Sequence, residues 1–346
     1  MKKMLLVKRL ALLGLATVVL STVAALPAAA QEKMRISLDT NPSHVRNKGI
    51  EIFAAELKKR VGDKLVIEVY PSAQLFRDRD IAKALRQGAV EMGVPGTWQL
   101  DGIEPNAAIQ LLPMFYGVEP RIAHQVFDGK LGEFLNKRME ERLQVKIIGR
   151  WLDLGMQHIY STSKDITKYD DLKGMKIRSP GGTANAARIK GLGATSVLVP
   201  FPDLPLAMSQ GVIDGLLTTH ESAYSAKLYD SGLKYAFEDN QYLAQYVPMV
   251  SMAFWSRQPK EIQNAIVGAW ETAVNGQREM AAKAQDEARE ELIKHGVKIA
   301  HPSPSEIVAK RKILMRLQDD LVKEMKIDKE AINLALDALR TAKVDF

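Results

Sequence analysis

The chain has 346 residues and a formal net charge of +7, from 48 lysines and arginines against 41 aspartates and glutamates, and it contains no cysteine. The lack of cysteine excludes a disulfide framework, a thiol nucleophile, a cysteine-ligated metal and a lipoprotein anchor. Lys2, Lys3, Lys8 and Arg9 hold four of the positive charges, so the rest of the chain carries +3 with both signs interspersed, which is not a nucleic-acid footprint.

Those four residues head an apolar run from Leu10 to Leu20, and Ala28-Ala29-Ala30 follows with small residues at the positions a signal peptidase reads. The pattern predicts a secretory signal over residues 1–30, cleaved after Ala30, and a periplasmic product of about 315 residues. Its apolar core is short for a membrane span, and no later segment is long and uncharged enough to cross one. In the mature chain, Met34 to Leu38 is β-prone. Ile50, Phe53, Ala54, Leu57 and Val61 then recur at helical spacing, and Leu65 to Tyr70 alternates as a strand. A helix from about Arg79 to Gln87 and a strand over Val90–Val94 complete a β-α-β-α-β series.

The same order returns after residue 170. Met175 to Arg178 reads as a strand, Pro180-Gly181-Gly182 opens a helix running to about Lys190, Ser196 to Val199 is a strand, and a short helix leads to a strand over Asp214–Thr218. Ala84-Leu-Arg-Gln-Gly-Ala-Val-Glu91 and Ala207-Met-Ser-Gln-Gly-Val-Ile-Asp214 echo each other, each with a helix ending at a C-cap glycine, Gly88 or Gly211. The expected fold class is α/β, with two similar α/β lobes. Pro259 to Lys294 forms one long helix, roughly 50 Å at 1.5 Å per residue, enough to brace both lobes. Gly268 and Gly276 are its weak points, and Pro302 to Phe346 reads as packing helices.

Motifs for catalysis are missing. There is no phosphate-binding loop, dinucleotide fingerprint, zinc-protease helix or nucleophile elbow, and the six histidines lack metal-ligand spacing. No cofactor or metal is expected. One segment carries a signal: Asp171-Leu-Lys-Gly-Met-Lys-Ile-Arg178-Ser-Pro-Gly-Gly182. Arg178 ends a strand just before a helix opened by proline and glycines. Open α/β sheets bind ligands at strand carboxyl ends, a guanidinium matches a carboxylate bidentately, and a helix N-terminus adds donors. The other reading of Arg178 is an ordinary surface ion pair.

This segment resembles the signature of TRAP-transporter solute-binding proteins, the dicarboxylate-binding periplasmic (DctP-like) family. Tyr70-Pro-Ser-Ala-Gln-Leu75, Ala84–Gly93, Gln210-Gly-Val-Ile-Asp-Gly215 and the stretch around Gln277-Arg278 are similar to further family stretches, in the family's order. The resemblance implies a periplasmic binding protein-like pair of lobes, joined by crossing strands and closing on a ligand in the cleft between them. The first lobe would comprise residues 31–152 plus about 247–275, the second 153–246 plus about 276–346. It implies a binding protein that captures a small organic carboxylate through Arg178 and hands it to TRAP-type permease subunits, without being an enzyme. A monomer is expected. An exported hydrolase-like enzyme or a ligand-sensing subunit on the same scaffold are the alternatives.

Departures from the family pattern bear on specificity. Many members carry Gly-Phe-Arg where this chain has Gly155-Met156-Gln157, so a second arginine is replaced by Gln157 or His158. Thr218 stands where the family often has a ligand-contacting asparagine. Phe201 matches a position that packs on the ligand. Trp98, with Thr97 beside it, follows a first-lobe strand and would overhang the cleft or fill the core. Asp39, Asn41 and His44 follow the first strand, Phe76 and Arg77 occupy another cleft-facing loop, and Trp151 and Asp153 sit at the lobe crossing, facing the ligand or serving structure. One arginine with apolar walls points to a monocarboxylate with an apolar or aromatic body, unless Arg77 or a protonated His158 restores the lost charge.

Overall fold

A computed structural model describes residues 32–345; the expected signal segment and its cleavage point after Ala30 lie outside the described residues. The first unit runs β1 (Glu32–Ser37), α1 (Val45–Val61), β2 (Leu65–Tyr70), α2 (Asp78–Arg86), β3 (Met92–Gly93). Parallel neighbours need crossovers, and α1 and α2 provide them: β1 lies between β2 and β3, parallel to both. Ile50, Phe53, Leu57 and Val61 form the buried face of α1. Helices α3 (Pro120–Phe127) and α4 (Lys130–Leu143) and strand β4 (Val145–Ile147) follow.

The chain then leaves this sheet along β5 (Leu152–Met156) and enters a second one at β6 (His158–Ser161). There β7 (Lys176–Ser179), α5 (Thr183–Gly191), β8 (Thr195–Leu198), α6 (Leu204–Ser209) and β9 (Gly215–Thr218) repeat the first unit, with β7 between β8 and β9 and parallel to both. The sequence echo is therefore an echo of topology. It extends to backbone detail: Gly88 and Gly211 have φ of 68° and 67°. Their amides donate to Leu85 and Met208 carbonyls, both at 3.0 Å, and the next amides, of Ala89 and Val212, reach back to Ala84 and Ala207. A side chain at either glycine would meet the left-handed penalty, which is why glycine closes both helices.

Helix α7 (His220–Ser225) and β10 (Tyr235–Phe237) follow, and β11 (Leu243–Tyr246) pairs antiparallel with β5 as the return crossing. Strand β12 (Met249–Ser251) joins the first sheet, whose order is β2-β1-β3-β12-β4. After α8 (Met252–Trp255), helix α9 (Lys260–Lys294) runs 35 residues without interruption through Gly268 and Gly276. Strand β13 (Lys298–Ala300) closes the second sheet, β13-β10-β6-β9-β7-β8, and α10 (Pro304–Leu314), α11 (Gln318–Met325) and α12 (Lys329–Thr341) end the chain.

Helix α9 packs against α1, which links β1 and β2, against α7, which follows β9, and against the crossing strand β5. Side-chain amides tie it to the crossing strand. Gln277 accepts from the Asp153 amide at 2.9 Å and donates to its carbonyl at 2.7 Å, and Gln285 donates to the Leu154 carbonyl at 2.7 Å. Helix α12 packs on α3 and α4, and the Asp328 amide donates to Asn106 at 2.8 Å, so this part of the C-terminal stretch touches elements that precede the first crossing. The expected strand over Val90–Val94 shrinks to Met92–Gly93, held between the Gly88 turn and Pro95.

Candidate ligand-binding site

Both parallel units direct the carboxyl ends of their strands into one crevice. Asp39 and Thr40 follow β1, Trp98 follows β3, Arg178 is the penultimate residue of β7, Phe201 follows β8 and Thr218 ends β9. With His44, Asp78, Gln99, Gln157, Ser222 and Tyr246, these residues enclose a cavity of about 30 Å³. That is far below the roughly 300–1,000 Å³ of ligand-sized pockets. Two flanking cavities, about 190 Å³ and 340 Å³, share Asp39 with it. Polar contacts hold the crevice shut. Gln99 donates to the Pro180 carbonyl at 2.9 Å, Asn41 to the Ser225 carbonyl at 3.2 Å, and Asp101 accepts from the Thr183 amide at 2.6 Å.

Arg178 is 3 % exposed. Its Nε donates to the Val199 carbonyl at 2.8 Å and Nη1 to the Leu217 carbonyl at 3.0 Å; Nη2 makes no hydrogen bond and the guanidinium no ion pair among the described residues. Burial holds its pKa down at about 10. A buried cation without a counter-ion is costly unless something supplies the opposite charge. Arg46, which the sequence did not single out, is the contrast. It is equally buried, yet Nη1 donates to both Asp78 oxygens at 2.7 and 3.0 Å, Nη2 donates to Asp39, and the guanidinium lies 4.4 Å above the Tyr246 ring. Arg46 therefore uses the two carboxylates that line the cavity with Arg178.

Of the residues expected at the site, Arg178, Gln157, Trp98, Phe201, Thr218 and Asp39 line this cavity together. Thr97, His158 and Arg77 do not. Thr97 is fully buried with its hydroxyl unpartnered. Arg77 stands in a flanking cavity, where it donates to Asp203 at 2.5 and 3.0 Å. His158 is adjacent to Gln157, and adjacent side chains of an extended segment point to opposite faces. Gln157 faces Arg178, and His158 lines a separate cavity behind the crossing strands. The Gln157 side chain is buried and makes no hydrogen bond among the described residues.

Aromatic rings form the walls. Trp98 tilts against Tyr246 at 5.6 Å between centroids, and His44 meets Phe201 and Tyr246 edge-on at 5.9 and 6.3 Å. Burial keeps His44 neutral, well below the usual histidine range, and its Nε2 lies 3.0 Å from Ser222 Oγ on α7. Glu221, pushed up to about 7 by burial, accepts from the Val45 amide at 3.0 Å. Tyr246, Ser222 and Asp78 reach the site only through tertiary folding, and no local motif marks them. The opening of α5, expected to offer amides to a ligand, is instead capped by Asp101. Trp151 stacks on Phe127 at 5.5 Å and Asp153 meets His124 at 2.7 Å, so both serve structure.

Residues 36–324 match the family of bacterial extracellular solute-binding proteins designated family 7. The chain belongs to this family. It is a solute-binding protein and not an enzyme, and the resemblance to TRAP-transporter solute-binding proteins is borne out. The chain is 24% identical over 287 residues to the C4-dicarboxylate-binding periplasmic protein DctP of Rhodobacter capsulatus, covering 82% of this chain and 84% of the relative. Among solved structures, the sugar acid binding protein of Advenella mimigardefordensis in complex with galactonate superposes with a TM-score of 0.85 at 22% identity, over 90% of this chain and 98% of that one. A TRAP periplasmic solute-binding protein of Ralstonia eutropha H16 with bound (S)-2-acetolactate gives 0.82 at 24% identity, over 89% and 99%. The two-lobed α/β fold is thus that of the TRAP binding proteins. Among the described residues no helix is long and apolar enough to cross a membrane.

Proposed function

We propose that this protein is the periplasmic receptor of a TRAP-type uptake system, capturing a small organic acid through a single carboxylate and delivering it to the membrane permease as a monomer. The signal at residues 1–30 would export it. The observation that carries the reading is Arg178, a buried guanidinium with two nitrogens fixed by carbonyls and no counter-ion among the described residues. An incoming carboxylate supplies that counter-ion. Arg46 is matched to Asp39 and Asp78 and Arg77 to Asp203, so one positive charge is left for the ligand.

The rest of the cavity supports a hydroxy or oxo acid with an apolar or aromatic body. The unpartnered Gln157 amide and the Thr218 hydroxyl suit a ligand oxygen, and Trp98, Phe201 and Tyr246 suit the body. The galactonate and acetolactate of the two structural neighbours each carry one carboxylate and at least one hydroxyl. The enclosed space requires the two lobes to part for entry and close on the ligand, with α12 moving with the α3 and α4 helices it packs on. Hinges at 150–155 and 246–251 fit the crossing pair β5–β11, where the register shifts between Ala244 and Gln245 and Gly155 has φ of 137°.

A calorimetric panel of succinate and malate against branched and aromatic 2-hydroxy acids tests the reading. The monocarboxylates should bind more tightly, and Gln157→Arg should shift preference toward the dicarboxylates. A wild-type preference for succinate or malate overturns the single-carboxylate assignment.

A further inference from the structure

Behind the crossing strands lies a second cavity, of about 530 Å³, separate from the Arg178 crevice. Its apolar walls come from β5 and β11 (Met156, Leu243), from α9 (Ala281) and from α10 (Ile307). His158 lines it and is 5 % exposed. The Asn240 amide donates to His158 Nδ1 at 3.3 Å, so the neutral ring carries its proton on Nε2. That Nε2–H has no hydrogen-bond partner among the described residues. The neighbouring His220 is fully used, with Nδ1 at 2.8 Å from the Tyr160 hydroxyl and Nε2 at 2.8 Å from Glu238. The His158 donor opens onto the cavity, where an acceptor carried in by a ligand can meet it.

The charges around the cavity set the sign of the visitor. Asp153, Glu238 and Asp286 line it against one arginine, Arg289. Glu238 is matched by Arg289 at 2.5 Å and Asp153 meets His124, while Asp286, exposed on α9, forms no ion pair. No group of histidines and carboxylates among the described residues could hold a metal ion, so the histidines here do not form a metal centre. We infer that this cavity is a second ligand site, for a small amphiphilic amine: its apolar body packs between α9 and the crossing strands, an oxygen accepts from His158 Nε2, and its ammonium faces Asp286 at the rim. The site is independent of the Arg178 crevice, which selects the opposite charge.

Tyramine and 3-(4-hydroxyphenyl)propionate are matched probes, with the same phenol and opposite charge. Titrated into the isotope-labelled mature chain at pH 7, tyramine should shift the amides of Met156, Ala281 and Leu243 and bind at least about 10-fold more tightly there than the propionate. Asp286→Asn should erase most of that preference. His158→Phe removes the donor, and Ile307→Trp, which fills the cavity from α10 and spares the histidine, covers the case in which the first variant does not fold; either should weaken tyramine about 10-fold or more. Arg178→Ala should leave tyramine affinity within about 2-fold, which separates this site from the acid crevice. Overturning outcomes are tyramine that does not bind, that shifts only crevice residues, that binds no better than the propionate, or that is indifferent to Asp286→Asn and Ile307→Trp.

Discussion

Arg178→Ala tests the acid crevice directly, and its two consequences separate in magnitude. A ligand carboxylate buried beside residue 178 would lose its partner. Truncating one side of a desolvated charge pair costs about 2–5 kcal/mol, roughly 30- to several-thousand-fold in affinity. For the ligand-free fold, the Val199 and Leu217 carbonyls lose their donors, at about 1–3 kcal/mol for each buried group left unmade. Against that, burial holds Arg178 at about 10, below the ordinary 12.5. At 1.36 kcal/mol per pKa unit this corresponds to a charge-burial cost on the order of 3 kcal/mol, which disappears with the charge. The two contributions oppose, so apo stability should stay within about 2 kcal/mol, a shift of roughly 3 °C in Tm at about 2.1 cal/mol/K of unfolding entropy per residue. Isothermal titration with the tightest acid of the panel, alongside thermal melts, reads both. Arg178→Lys should fall between wild type and alanine, because an ammonium keeps the charge and loses the planar fork. Unchanged affinity in Arg178→Ala refutes the carboxylate contact. A Tm collapse of some 20 °C would refute the argument that the charge opposes stability.

Two further predictions use other parts of the crevice. Gly182 has φ of 85°, and a Cβ there would stand 2.9 Å from the Trp98 carbonyl across the crevice. Gly182→Ala should therefore hold the lobes apart, weakening acid affinity about 10-fold or more and reducing the ligand-induced contraction seen by small-angle scattering; wild-type affinity would show that the contact yields. Burial raises Asp239 from 3.8 to about 7, while its carboxylate accepts from the Tyr116 hydroxyl at 2.7 Å. Between those values the folded state keeps a proton that the unfolded state has released, so this group's contribution to stability falls as pH rises from about 4 to about 7 and is level above that. Asp239→Asn should remove that decline from urea-unfolding curves measured at a series of pH values, and curves parallel to wild type would sink the assignment.

The repeated unit was legible because its signals are local. Gly88 and Gly211 stop their helices for the same backbone reason, and the alternating segments on either side fix strand and helix without tertiary help. Arg178 was legible for a related reason, since a strand running into a proline-glycine helix start puts its last residues at a sheet's carboxyl edge. The side chains that finish the crevice were not. Tyr246 arrives on the return crossing, Ser222 and Glu221 on α7, and Asp78 through its pairing with Arg46, each a contact between segments remote in sequence. His158 turned away from its neighbour Gln157 because one step along an extended chain reverses the face, and no composition signal fixes which face is which.

Charge shows the gap between sequence and site most clearly. Read along the chain, Arg46, Arg77 and Arg178 are three cations at the carboxyl edges of one sheet or the other. In three dimensions Arg46 faces two carboxylates and Arg77 faces Asp203, which leaves Arg178. The carboxylates a binding protein places beside its own arginines thus set the ligand charge it can accept. On that argument, adding an arginine at position 157, which lines the cavity, should change selectivity more than freeing Arg77 from Asp203, because Arg77 stands in a flanking cavity.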